Sequence, residues 1–478
     1  MSTTGILAFG AYIPKRRLQR AAIYSANSWL GSGLRGLAKG ERASANWDED
    51  AVTMGVESAR DCLAGIDRSV VQGLMLASTT LPFADRQNAG LVKEALTLSD
   101  DITALDATGS QRAATSALIQ ALRGSSTQLV IGADHRKARA GSEAELLQGD
   151  AAAAVLTGAG AVIARLLGTH SVTLDFVDHY RASGVDFDYA GEARWVRDEG
   201  YAGLLCAAIE SALAGFGLTG GDIHHAIIPV PVAGVAQSLA KRLGIGADAV
   251  ADPLIATVGD CGTGHPLLML AATLEIADPG ERILLCGFGQ GADVIVLEVT
   301  DAIRSLPERR GVRGHLAIRQ EDSNYMRFLT HRGLLETERG PRAEIDQKQP
   351  GSTLYRHRKT VLGLVGGRCT ETGTVQFPRS ELGVNPGTRT RGTQVDHPLA
   401  ECRAHIVTFT ADSLTYSPDP PCFYGAVDFE GGGRMVAEFA EVNADEIDVG
   451  REMRMVFRIK AQDEMRHFTR YFWKATPA

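Results

Sequence analysis

The stretch "GSQRAATSALIQALRGSSTQLVIGAD" (Gly109–Asp134) has a counterpart in "GDCGTGHPLLMLAATLEIADPGERILLCGFG" (Gly259–Gly289). Each runs in the same order: a glycine turn, a helix of small and apolar residues, a polar loop, then an apolar strand. That strand reaches Gly132 in the first copy and Gly287 in the second. A unit repeated at long spacing reads as the duplication of one α/β building block. Any α/β chain repeats such patterns loosely, but here the turns that open the two helices are paired as well.

Outward from these stretches, apolar strand segments alternate with amphipathic helices through the first 300 residues. Strands are predicted at Gly5–Tyr12, Gly73–Ser78, Gln128–Gly132, Ala151–Thr157, His225–Val230, Arg282–Gly287 and Asp293–Val299. Helices are predicted at Asp50–Ala64, Ala113–Arg123, Tyr201–Phe216 and Leu267–Ile276. Alternation of this kind predicts α/β layers around a largely buried sheet. Residues 301–360 are charged and poor in apolar runs, and read as a helical and loop connector. Residues 361–478 switch to strand patterning in "ECRAHIVTFT", "FYGAVDFE", "RMVAEFAEV", "REMRMVFRIK" and "HFTRYFWKA". That spacing predicts a small β-barrel of the OB type. The expected domains are two α/β halves, 1–165 and 166–300, a connector over 301–360, and a barrel domain over 361–478.

The totals exclude several classes. The chain has 478 residues, 44% hydrophobic and 22% charged, with a formal net charge of −8. An acidic balance argues against a nucleic-acid partner, whose phosphates need a basic face. The short basic run "PKRR" (Pro14–Arg17) reads as a solvated loop rather than a nucleic-acid patch, or as a loop that meets a ligand phosphate. Seven cysteines, scattered and without a CxxC pair, fit a reducing cytoplasm. The N-terminus has its apolar piece before its basic residues, the reverse of a signal peptide. No stretch reaches the roughly 18 apolar residues of a membrane span. A cytoplasmic protein without a membrane partner is expected.

Four segments carry a family resemblance. "GILAFGAYIPKRRL", "VIGADHRKARAGSEAELLQGDAAAAVLTG", "IHHAIIPVPVAGVAQSLAKRLGI" and "VGDCGTGHPLLMLAATLEIADPGERILLCGFGQGADVIVLEV" resemble hydroxymethylglutaryl-CoA synthases and type III ketoacyl synthases of the thiolase superfamily. Their order and spacing agree over residues 1–300. The resemblance implies a duplicated, five-layered α/β thiolase fold with the active site between its halves, and a homodimer or dimer of dimers. The C-terminal part resembles the OB-fold accessory proteins that accompany thiolase-like enzymes. That family opens with a zinc ribbon of two CxxC pairs, of which only Cys369 remains here, with Thr372 in the second place. One thiolate cannot make the four-ligand site zinc needs, so no zinc and no resident cofactor are expected, and coenzyme A or an acyl-CoA enters as substrate.

The resemblance implies a cysteine nucleophile, a histidine, and an asparagine or second histidine. With Asp106 and Thr115 held in register, the nucleophile's position falls on Gln111; a one-residue slip would give Ser110. Neither can carry a thioester as cysteine does, and a glutamine amide only donates and accepts hydrogen bonds. In decarboxylating ketosynthases a glutamine at this position supports carbanion formation without acylation. The histidine's position falls on Val230; His224 and His225, just upstream, read as solvated or strand-edge histidines. The third position falls on Asp260. Its loop also holds Cys261 and His265, which read either as a relocated nucleophile and base or as a buried small side chain and a helix-start residue. "GFGQG" resembles the family's backbone oxyanion turn, making Gly287, Phe288 and Gly289 substrate-binding candidates.

Two functions remain open. One is an enzyme that makes or breaks C–C bonds (Claisen, retro-Claisen or decarboxylative) on a thioester or β-keto substrate without the standard cysteine. The other is a non-catalytic structural or substrate-presenting subunit of a thiolase-type complex. The intact glycine turns favour the enzyme. The segments Thr79–Gln87 and Val177–Trp195 read as pocket loops, the second as either a lid over the acyl site or a dimer loop.

Overall fold

The two quoted stretches fold into the same piece twice, as a computed structural model of the chain shows. It describes residues 4–30, 33–338 and 349–478. The chain divides into two units, the first made of Met1–Asn46, Asp50–Gly90 and Ser99–Phe328, the second of Trp47–Glu49, Leu91–Leu98 and Leu329–Ala478.

In the first unit the strands are β1 (Thr4–Tyr12), β2 (Gly73–Ala77), β3 (Thr103–Ala107), β4 (Gln128–Asp134), β5 (Ala151–Ala159), β6 (Ala164–Thr173), β7 (His225–Ile227), β8 (Arg282–Phe288) and β9 (Gly291–Val299). They lie in the order β7-β8-β9-β6-β1-β5-β4-β2-β3. β1 pairs antiparallel with β6 through Gly5↔Arg165 and Ile6↔Ala164, so the ladder passes from one half to the other. The helices that matter here are α1 (Ala51–Cys62), α2 (Ala113–Arg123), α3 (Cys206–Gly215), α4 (Val235–Arg242) and α5 (His265–Leu274).

The sequences of α2 and α5 put them in the middle. α5 buries every residue but Ala272, and a helix apolar on all sides belongs inside a core. α2 contacts β4 and β5 of the first half and β8 and β9 of the second, while α5 contacts β1 and β5 and also β7 and β8. α1 covers the outer face at β1, β4 and β5, and α3 covers β6 and β9. The result is helix, sheet, paired central helices, sheet, helix: the five layers expected. α1 starts on a reciprocal cap, the Thr53 N–H donating to Asp50 Oδ1 at 2.9 Å and the Asp50 N–H to Thr53 Oγ1 at 2.8 Å, a motif that satisfies two orphan donors.

The closing glycines explain how the halves interlock. Gly132 lies where an added methyl group would sit 3.0 Å from Gly264 Cα, at the mouth of α5. Gly287 lies where a methyl group would sit 2.1 Å from Thr115 Oγ1, near the mouth of α2. Each half's strand glycine thus receives the other half's helix opening. Gly287→Ala is expected to cost about 1–3 kcal/mol through overpacking, read as a lower midpoint in urea unfolding; an unchanged midpoint would exclude the close approach.

Two expectations change, those for "PKRR" and for the helix over Tyr201–Phe216. The connector over 301–360 is divided between the units: the helix Gly311–Ala317 and the strand Gln320–Asp322 belong to the first, and the second resumes at Leu329. Residues 339–348 of that stretch lie outside the described residues. Gln320–Asp322 pairs parallel with Arg16–Gln19, so "PKRR" leads into a strand rather than a solvated loop. Arg17 is fully buried, because backbone carbonyls of Pro14, Arg16 and His315 accept from its guanidinium, and burial lowers its pKa to about 10. The helix predicted over Tyr201–Phe216 opens earlier, as a π-helix over Val196–Leu205 that continues into α3.

The described residues of the second unit include the short helices α6 (Gly351–Arg356) and α7 (Arg358–Val361) and two sheets. The first sheet has β10 (Val365–Cys369), β11 (Val375–Gln376) and β12 (Gln394–Pro398), in the order β11-β10-β12. The second has β13 (Ala404–Asp412), β14 (Cys422–Phe429), β15 (Arg434–Glu438), β16 (Glu452–Asp463) and β17 (Phe468–Pro477), in the order β15-β14-β13-β16-β17. Burial alternates residue by residue along β14, the period of a strand with one face in a core. Just past β15, Phe439 bridges Ala475 of β17, which brings the two edges of the sheet together. All five strand segments quoted from the sequence are present.

Candidate active site

The opening of α2 is anchored by side chains on both sides of Gln111. β3 ends at Ala107, and Gly109 turns the chain with φ +90°. The Ser110 hydroxyl donates to the Gly289 carbonyl at 2.9 Å, and Arg112 Nε donates to the same oxygen at 2.9 Å. The Arg112 guanidinium continues to Asp293 Oδ1 (2.9 Å) and Thr173 Oγ1 (3.0 Å). Asp293, buried on β9, also accepts from Thr115 (3.0 Å), Ser116 (2.6 Å) and Ser171 (2.8 Å). The carboxylate is thus met by one guanidinium and three hydroxyls, the kind of pairing a buried charge requires.

Gln111 stands between Ser110 and Arg112 and is the exception. It is half-buried, and among the described residues neither its backbone N–H nor its side-chain amide makes a hydrogen bond. Its position at a helix N-terminus adds a favourable field for negative charge. A residue held in place by its neighbours but left with open donors can bind the oxygen of a ligand.

The turn Gly287–Gly291 supports this opening. Gly289 has φ +150° and Gly291 φ +127°, values that favour glycine. The Gly289 N–H donates to the Gly291 carbonyl at 3.1 Å, so that amide is already committed. A methyl group on Gly289 would lie 3.3 Å from the Gln111 backbone nitrogen and 2.7 Å from Ser110 Oγ. Gly287 serves close packing and Gly289 buttresses Gln111. The Phe288 ring meets Tyr201 at 4.9 Å and Phe176 at 6.1 Å, and Phe176 stacks on Trp195 at 4.2 Å.

The loop before α5 holds the other candidates. Asp260 Oδ2 accepts from Arg136 at 2.6 Å, and Asp260 Oδ1 accepts the Gly262 N–H at 3.0 Å. Burial alone would raise the Asp260 carboxyl, but the Arg136 guanidinium prevails and holds it down to about 2. Burial works against the Arg136 charge too, yet Asp260 and Asp134 hold its pKa above the ordinary arginine value. Asp134 accepts from Ser78, Thr79 and Thr80 and from the Thr263 N–H at 2.8 Å, which joins the two loops. Cys261 and His265 are brought together, but through the Cys261 backbone N–H, which meets His265 Nδ1 at 3.4 Å. The Cys261 thiol donates to the Gly259 carbonyl at 3.3 Å, and burial pushes its pKa well up. Burial lowers that of His265. A protonated thiol facing a carbonyl is not a poised nucleophile.

Because Asp260 titrates lower in the folded chain than its ordinary 3.8, it stabilises the fold above that value, and the contribution is lost as pH falls towards 2. Asp260→Asn is therefore expected to lower stability at neutral pH and to flatten the acid limb between pH 4 and 2 in urea titrations. An acid limb identical to that of the parent chain would overturn this.

Val230 is buried. His225, at the end of the edge strand β7, pairs with Glu281 at 2.8 Å, and the neighbouring His224 is exposed. The segment Val177–Trp195 folds back on itself through His179–Tyr180 and Tyr189–Ala190 and meets Lys137 at Phe187. Sequence reasoning missed Arg112, Asp134, Arg136, Tyr201 and Asp293. The available signal was position: Asp134 ends β4 and Arg136 follows it, and the carboxyl ends of strands in α/β sheets are where sites form. Tyr201 lies in the π-helix, and burial, then the charges of Asp178 and Asp260, raise its pKa, so its hydroxyl stays protonated.

In the second unit the Cys369 sulfur meets Thr393 Oγ1 at 3.1 Å, Thr390 Oγ1 at 3.5 Å and the Thr372 N–H at 3.4 Å. One thiol among neutral hydroxyls does not fit zinc. Among the described residues no group of three or more His, Cys, Asp or Glu side chains could hold a metal ion, and no helix is long and apolar enough to cross a membrane.

Comparison with known proteins agrees with this architecture. Residues 397–458 match the family model of the ChsH2 C-terminal OB-fold domain. The chain is 31% identical over 341 residues to the hydroxymethylglutaryl-CoA synthase of Archaeoglobus fulgidus, covering 69% of this chain and 98% of that one. It is 30% identical over 341 residues to that of Methanothermobacter thermautotrophicus, covering 68% and 96%. Among solved structures, an HMG-CoA synthase complexed with CoA superposes with a TM-score of 0.62 at 19% identity, over 73% of this chain and 95% of that chain. The 3-oxoacyl-(acyl carrier protein) synthase III of Pseudomonas aeruginosa PAO1 superposes with a TM-score of 0.56 at 20% identity, over 63% and 99%. With its fold, its duplicated helix openings and its relatives in agreement, the chain belongs to the hydroxymethylglutaryl-CoA synthase family of the thiolase superfamily, joined to a C-terminal OB-fold domain.

Proposed function

We propose that the chain catalyses C–C bond chemistry on a CoA thioester through an enolate and without an acyl-enzyme, with decarboxylation of a β-carboxy thioester as its core step. The observation that carries this is Gln111: its donors are open at a helix N-terminus, while Ser110 and Arg112 beside it are hydrogen-bonded to the Gly289 carbonyl. The relatives' name and the CoA complex of a solved neighbour support CoA as the carrier.

Decarboxylation suits this set of groups because it needs neither a nucleophile nor a base. The bond between Cα and the carboxylate carbon breaks, CO2 leaves, and the electron pair moves onto the thioester carbonyl. Gln111 donates to that developing oxyanion, where preorganised donors act most strongly. A proton then adds at Cα. The Tyr201 hydroxyl, kept protonated by burial and by nearby carboxylates, is the donor in this reading and is recharged from water. Asp260, ionised and bound to Arg136, holds the two loops rather than abstracting a proton.

The test is incubation with malonyl-CoA, following acetyl-CoA and CO2 while intact-mass spectrometry follows the protein. Turnover without an adduct is expected. An acyl adduct on Cys261 would overturn the non-covalent route. Tyr201→Phe is expected to lower kcat by up to about 10²-fold, less if water replaces the hydroxyl, with KM little changed; an unchanged kcat removes Tyr201 from the mechanism. Saturable CoA binding with no turnover would select the substrate-presenting subunit, a reading favoured by the internal pairing of Arg112 and Arg136. A homodimer is the proposed assembly, and a monomeric mass in light scattering would overturn it.

A further inference from the structure

The second unit carries a cavity of about 560 Å³ where α6 and α7 meet the β10–β12 sheet. Its volume lies within the roughly 300–1,000 Å³ of small-molecule sites. Arg356, Arg358, Lys359, Arg379 and Arg391 all line it. Lys359 (2.7 Å) and Arg379 share Asp396, Arg391 reaches Glu381 at 3.6 Å, and Arg358 reaches Glu94 at 3.3 Å. Arg356 has no acidic partner among the described residues. Among the described residues the lining itself holds five cations and two carboxylates, Glu381 and Asp396, which leaves an excess of positive charge in a concave space, where fields are focused.

A second observation points the same way. Gln394 lines the cavity and is 6% exposed, yet neither its amide oxygen nor its amide nitrogen has a hydrogen-bond partner among the described residues. Buried amides are normally paired, and an orphan calls for a missing water, ion or ligand. An amide offers a donor and an acceptor side by side, the pattern that matches the edge of a purine base. Guanidinium groups are in turn the preferred partners of phosphate oxygens.

We infer that this cavity binds a small organic phosphate of nucleoside diphosphate size, its phosphates on the arginines and its polar edge towards Gln394. The inference is independent of the enolate reading of the first unit.

Two probes separate the contributions: inorganic pyrophosphate, which carries only the charge, and ADP, which adds a base. Calorimetric titration of the full chain is expected to show saturable binding that weakens as salt rises, since these cations are largely exposed. Tighter binding of ADP assigns a nucleotide; equal affinities assign the site to the diphosphate alone, which still supports an anion site. Arg356→Glu breaks no ion pair and is expected to weaken both probes by about tenfold or more. Ser380→Glu, which places a carboxylate in the same lining, should act in the same direction. Absence of saturable binding by either probe overturns the inference. So does binding that neither substitution alters, because it would place the anion elsewhere on the chain.

Discussion

Gln111→Ala is expected to lower turnover of malonyl-CoA by about 10²–10³-fold, the usual cost of removing one oxyanion donor, with little change in KM. The split follows from where the charge appears. The ground-state thioester carbonyl accepts weakly, whereas the enolate oxygen carries developing charge, so the loss falls on kcat. Stability should hardly change, since Gln111 makes no hydrogen bond among the described residues and its neighbours keep the opening in place. Gln111→Cys provides a sharper readout. It puts a thiol at a helix N-terminus, where thiolates are favoured, and mass spectrometry after acetyl-CoA should show an acyl adduct at residue 111. If Gln111→Ala leaves kcat unchanged, and Gln111→Cys takes up no acyl group, the opening of α2 is not where the reaction occurs.

The same residue shows what a sequence can and cannot carry. The helix over Ala113–Arg123 is observed at its predicted ends; its small and apolar residues, all but Ser116, Gln120 and Arg123 buried, seat it in the core. Gln111 could be read as a seat without a nucleophile because a turn and a helix start are local features. What holds it could not be read. Arg112 is fixed by Asp293 and the Gly289 carbonyl, more than 170 residues away, and Arg136 by Asp260. Nothing in "GADHRKARAG" distinguishes Arg136, which is buried, from Arg139, which is exposed. The Cys261–His265 pair shows the opposite failure. Their spacing placed them together, as the structure does, but not that the hydrogen bond would run through the backbone amide and leave the thiol on Gly259. β6 escaped prediction because "ARLLGTHSVT" lies half-buried and alternates poorly, and its place in the sheet is set by partners on β1 and β9. In the OB domain β14 and β15 were legible because each has one face in the core and keeps the two-residue period, and β16 and β17 because they carry apolar runs buried on both faces.

Arg458→Met is expected to cost about 3–5 kcal/mol, the usual penalty for removing one member of a buried charge pair. Arg458 is fully buried on β16 and reaches Glu49 at 3.1 Å, Glu441 at 3.4 Å and Asp48 at 4.0 Å. Asp48 in turn accepts from Lys474 of β17 at 2.9 Å, and Lys474 reaches Glu438 at 3.3 Å and lies 4.2 Å from the centre of the Trp47 ring. The segment Trp47–Glu49 is thereby tied to two barrel strands by charge. Burial alone would raise the Asp48 carboxyl, but Lys474 and Arg458 hold it below its ordinary value. It therefore stabilises the fold above the unfolded pKa of about 3.8, and the contribution is lost as pH falls below that value. Without Arg458 the carboxyl takes up its proton more readily, so acid unfolding of the variant should begin at higher pH than in the parent chain. Arg458→Met combined with Glu49→Gln removes both charges and should recover part of the loss. The measurement is urea unfolding across pH, followed by Trp473 fluorescence in the barrel core. A single variant as stable as the parent, or a double variant with no recovery, would mean that the network contributes packing rather than charge.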